Sequence, residues 1–186
     1  EAWREGTEQL RYTYIWNFNE RGEPGTTFLY EKIHAPGVFE WEHPVHEVLR
    51  RTDGRRSWKK AEEPGIVLEH HPDTKKSRAG YLELLELSVQ EAPEDDRNAH
   101  YLGREYMFWG RWDDAIRQLK AHLAMPAAVW EPERCASMRF LSRCYLAKGD
   151  GREAMRWALR AIAEAPETRE PWVQAEEVAY AMEDWE

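Results

Sequence analysis

The sequence predicts an α+β chain in two consecutive parts, a small β region followed by an array of helices, and three observations predict it. Aromatic and β-branched runs alternate with turn residues through positions 9 to 70; apolar spacing becomes helical from Asp73 onward; and within the helical part a pattern of glycine, alanine and tyrosine returns at identical offsets. With 42% hydrophobic and 12% aromatic residues among 186, the chain has the material for a real core.

Residues 9 to 18 (QLRYTYIWNF) read as the first strand, and Arg21-Gly22-Glu23-Pro24-Gly25 supplies turn chemistry before a hairpin partner at residues 26 to 34. Short strands are expected at 38 to 41, 45 to 49 and 65 to 70, separated by Pro36-Gly37, Pro44, Asp53-Gly54 and Pro64-Gly65. Such a β meander is small and aromatic, and reads as the edge of a larger sheet rather than an independent domain.

Leucines at 82, 84, 85 and 87 begin the helical part. Leu102-Gly103, Tyr106, Gly110 and Ala115 then form one copy of a pattern, and Leu141, Tyr145, Gly149, Ala154, Ala161 and Pro166 form the next. Small residues at fixed places let two antiparallel helices approach, and this spacing is that of tetratricopeptide units of about 34 residues. Helices are expected to pair as 97 to 109 with 112 to 124, and 133 to 147 with 152 to 164. Trp172 opens a third copy, whose Glu183-Asp184-Trp185 aligns with Gly110-Arg111-Trp112. The expected organisation is a β domain at 1–72, a connecting helix at 73–96 and about two and a half repeats at 97–186, the last cut within a unit.

Charge narrows the function classes. An excess of 35 acidic over 26 basic side chains gives a net charge of -9, which disfavours duplex nucleic acid as a partner, since affinity for phosphates comes from Lys and Arg. No apolar run of membrane-spanning length and no leader pattern is visible, so a cytoplasmic location without a membrane span is expected. Cys135 and Cys144, nine residues apart in one expected helix and so about 13 Å apart, are expected to be reduced core thiols.

Two segments concentrate chemistry. Residues 31 to 49 (EKIHAPGVFEWEHPVHEVL) gather His34, His43, His46, Glu40, Glu42 and Glu47 around Trp41, a set suited to general-base work or to binding a hard metal ion. The plainer reading is that His43 and Glu42 are exposed loop residues and Trp41 is core. Glu69-His70-His71-Pro72-Asp73 precedes Lys75, Lys76 and Arg78 at the expected start of the first long helix, where Asp73 or Thr74 would cap and free amides with nearby cations would attract an anion; a simple capped helix is the plainer account. Among the aromatic residues, Tyr106 and Tyr145 fit interhelical filling, whereas Trp130, in the connection 126–132, is less constrained.

The strings HPVHE at 43–47, HHPD at 70–73 and NAHYLGREYM at 98–107 resemble family 2 glycosyltransferases that carry a tetratricopeptide tail, of the kind found in Firmicutes and their phages. The likeness runs over essentially the whole chain. It implies the C-terminal part of a GT-A glycosyltransferase sheet followed by an all-α tetratricopeptide-like array, acting on a nucleoside-diphosphate sugar with a divalent metal, Mn or Mg. The Asp-rich donor motif of that family does not precede Gln9, so donor binding by this chain alone is not expected. By the same resemblance Glu47 and His46 are catalytic on the acceptor side, His70 and His71 close the metal or diphosphate site, Arg78 and Lys76 meet the leaving diphosphate, and Trp41 and Trp130 are acceptor-side aromatics. The acceptor would be a protein, peptide or glycan hydroxyl or thiol, and the repeats would bind it or mediate homo-oligomerisation. The rival expectation is a non-catalytic repeat adaptor for a peptide or protein partner.

Overall fold

A computed structural model describes residues 3–72 and 80–182. The chain separates into two compact units, Glu1–Ser77 and Arg78–Glu186.

The first unit is built on β1 (Gln9–Ile15), in which Leu10, Tyr12 and Ile15 are buried. Its neighbours are β2 (Thr27–His34), antiparallel, and β5 (Lys60–Glu69), parallel, giving the order β2-β1-β5. The strands β3 (Phe39–Glu42) and β4 (Val48–Arg51) form a separate antiparallel pair. The expected meander is therefore corrected. The last strand returns beside the first in parallel, and the β3–β4 hairpin lies within the crossover. Pro64-Gly65, expected to precede the last strand, sits inside it: the register jumps from Tyr12 opposite Glu63 to Thr13 opposite Val67. Pro64 has no amide hydrogen to donate to a ladder, and the bulge removes that requirement while its carbonyl accepts from the Thr13 hydroxyl at 3.2 Å.

A buried arginine joins the hairpin to the sheet region. Arg51, 4% exposed, holds Glu8 at 2.6 Å and Asp53 at 2.7 Å and lies over the Phe39 ring. Trp58 packs edge-on against Phe39 and donates its indole N–H to Gln9 at 2.6 Å.

The second unit contains α1 (Tyr81–Glu91), α2 (Asp96–Phe108), α3 (Trp112–Ala124), α4 (Glu131–Ala147), α5 (Gly151–Glu164) and α6 (Arg169–Ala181), with no strand among the described residues after 80. The pairs α2/α3 and α4/α5 fall where the repeat spacing predicts them. Both first helices end in the same way: Gly110 and Gly149 take φ of 69° and 79°, and the following amides bond back to the Tyr106 and Tyr145 carbonyls at 2.9 Å. Only a residue without Cβ enters that left-handed turn at little cost, which explains the recurring glycine. Asp95 and Asp150 cap α2 and α5 by accepting from the Asn98 and Glu153 amides.

The helix α1, expected as a connector, packs on α2. Leu85 and Ser88 are buried, and the Tyr106 hydroxyl donates to Glu86 at 2.9 Å. It begins behind Gly80, and the caps expected at Asp73 or Thr74 lie outside the described residues. Of its four leucines only Leu85 belongs to the core. Cys135 and Cys144 are free and buried, and burial pushes the Cys144 thiol up to about 12.

Candidate functional site

In the β unit, the sequence-selected residues gather at the turn between β3 and β4. Residues 43–47 close a hairpin whose last pair is Glu42 with Val48. Val45 is buried at 5% exposure and pins the turn, while His43 and His46 adopt φ of 70° and 56°. Two non-glycine residues in the left-handed region within five positions hold local strain, a feature that collects at functional loops. Glu47 is exposed and makes no ion pair among the described residues. Arg50 pairs with Glu40 at 3.1 Å and Glu42 at 2.6 Å, and Arg51 with Glu8 and Asp53, so both neighbouring guanidiniums are committed elsewhere. Trp41, which could have been core, is 46% exposed, with the Lys32 ammonium 4.1 Å above its ring.

His70 and His71 are held against the aromatic end of β1. His70 stacks on Trp16 at 4.7 Å, and its Nδ1 lies 3.0 Å from the Trp16 carbonyl, which fixes the proton on Nδ1. His71 stacks on Phe18 at 5.2 Å and meets Glu69 at 3.1 Å. Among the described residues no group of three possible ligands includes them. Lys76, Arg78 and Asp73 lie outside the described residues.

The helical unit presents two features. Outside, Val129 is 79% exposed and Trp130 56% exposed at the head of α4, on a tight turn in which Ala128 and Val129 amides bond to the Met125 and Ala127 carbonyls. Trp172, 55% exposed, occupies the first turn of α6, its indole donating to the Pro166 carbonyl at 3.0 Å. Inside, a polar chain crosses three helices: His100 Nδ1 lies 2.8 Å from Ser137 Oγ, which lies 2.9 Å from His122 Nδ1. Sequence reasoning missed this chain. The only signal was that two histidines and a serine fall on inward faces of the repeat pattern, where apolar residues are the rule.

No protein-family model matches the sequence, and no curated protein matches it. Among solved structures, one titled MamA MSR-1 C2 shares 21% identity over 55% of this chain with a TM-score of 0.46. The match spans 56% of that neighbour. What the fold itself defines is an α+β chain with a small sheet unit and tetratricopeptide-like helix pairs. No helix among the described residues is long and apolar enough to cross a membrane.

Proposed function

We propose that the helical unit is a repeat module that binds a segment of a protein partner. The observation that carries this reading is the Val129-Trp130 pair, two large apolar side chains held out on a hydrogen-bonded turn. An aromatic ring kept rigid in water loses little entropy on being covered, and interface energy concentrates on such anchors. Trp172, at the head of the next first-position helix, supplies a second ring of the same kind. Peptides selected from an unstructured library against the chain should bind about tenfold more weakly to the Trp130→Ala variant, with its melting temperature unchanged. Equal affinity in wild type and variant removes Trp130 from the surface.

A second reading makes the β unit part of a sugar-transferring enzyme, with the repeats holding its acceptor. Two observations favour it: the strained turn at His43 and His46 falls in the string that most resembles family 2 glycosyltransferases, and Leu29, Ile33, Val67 and Leu68 lie 36 to 53% exposed on β2 and β5, as in a sheet that packs on further structure. In this reading Glu47, exposed and without an ion pair among the described residues, takes the proton of the acceptor hydroxyl or thiol, and His46 orients it. The nucleotide-sugar donor and its divalent metal come with the resemblance alone. In an enzyme containing this chain, Glu47→Gln should lower turnover by about 10² to 10⁴ with melting temperature retained, and wild-type turnover would remove Glu47 from the chemistry.

A further inference from the structure

The head of the first repeat pair buries more polar chemistry than packing needs. Asp96 opens α2, His122 lies in the last turn of α3 and Glu133 in the first turn of α4, and a ligand atom from each lies within 4.8 Å of the others. His122 is fully buried and Glu133 is 7% exposed, yet His122 Nε2 and Glu133 Oε1 have no hydrogen-bond partner. Leaving a buried polar atom without a partner is costly, so these two call for an occupant.

We propose that Asp96, His122 and Glu133 bind a divalent transition-metal ion of the zinc or manganese kind. One imidazole nitrogen and two carboxylate oxygens from three separate helices form a donor set that such ions accept, and helical positions hold it in place. His122 Nδ1 is taken by Ser137 Oγ, which leaves Nε2 to coordinate. The proton order then follows along the chain. Nδ1–H of His122 donates to Ser137 Oγ, and the serine hydroxyl donates to His100 Nδ1, 2.8 Å away. A histidine oriented through its second nitrogen is the usual support of a metal ligand.

The cations that face Glu133 are Arg97 and Arg104, and the carboxylates beside it are Asp95 and Asp96. Both guanidiniums lie over the Tyr101 ring, at 5.3 and 4.5 Å. Arg134, the cation that acts on His122, is bonded to Glu164 and to the Leu123 and Ala128 carbonyls. Among the described residues neither Asp96 nor Glu133 makes an ion pair.

Chelator-treated chain titrated calorimetrically with Zn²⁺ and with Mn²⁺ should bind one equivalent of at least one of them with a Kd of about 10 μM or tighter, and its melting temperature should rise with metal. Glu133→Gln and Asp96→Asn, near-isosteric changes checked for helix content by circular dichroism, should each weaken binding about 100-fold. Ser137→Ala should weaken it about tenfold through His122. Should neither metal bind wild type more tightly than about 1 mM, the proposal fails. It fails equally if binding survives both carboxylate changes, or is lost instead in the His70→Ala, His71→Ala double variant, which would put the ion on the β unit.

Discussion

Gly103 on α2 and Leu119 on α3 approach so closely that a Cβ on the glycine would lie 2.7 Å from the leucine Cγ and Cδ2. At the same offset in the second pair stand Ser142 and Ala158, both fully buried. Where the first pair sets nothing against a large side chain, the second sets a small side chain against a smaller one. The two helix pairs distribute side-chain volume differently at this position.

Gly103→Ala should therefore cost about 1–3 kcal/mol, because Leu119 is fully buried and cannot move aside. In the Leu119→Ala background only the Leu119 amide nitrogen, 3.2 Å from that Cβ, still crowds it, so the same change should cost less and denaturant melts of the four proteins should give a coupling of about 1 kcal/mol. Additive effects would mean that the helices are not in contact there.

Gly149→Ala tests the turn rather than the packing. Nothing lies within 4 Å of a Cβ at that position, but φ is 79°. The loss should be about 1 kcal/mol and wholly conformational, read from the urea midpoint at constant slope.

Acid should weaken the β unit through Arg51. The Arg51 guanidinium beside Glu8 holds that carboxyl below its usual range, and Arg51 followed by Arg55 does the same to Asp53. A carboxyl with a depressed folded-state pKa stabilises above its unfolded value, about 4, and the contribution is lost as pH falls through the folded one. The melting-temperature gap between wild type and Asp53→Asn should be largest near pH 7 and shrink below about pH 4. A gap independent of pH from 2 to 7 would separate Asp53 from this linkage.

The helices were legible in the sequence because their determinants are local and repeat: Tyr106-x₃-Gly110 and Tyr145-x₃-Gly149 specify the same helix stop twice. The sheet was less legible. Pairing of β1 with β5 joins residues about fifty positions apart, and nothing local distinguishes a meander from a parallel return. Pro64-Gly65 reads as a turn in any short window, and only the register against Thr13 reveals a bulge. The turn carrying His43, His46 and Glu47 stood out by composition, and the left-handed backbone of the two histidines did not. The His100–Ser137–His122 chain was invisible because its members come from three helices.

Hydrogen exchange on the chain, alone and with a saturating selected peptide, tests partner binding by the helical unit most directly. Partner binding by the helical unit should add protection at residues 127–134 and in the first turn of α6, around Trp130 and Trp172. Protection confined to residues 39–51, with the heads of α4 and α6 unchanged, would contradict it and assign binding to the turn that carries His46 and Glu47.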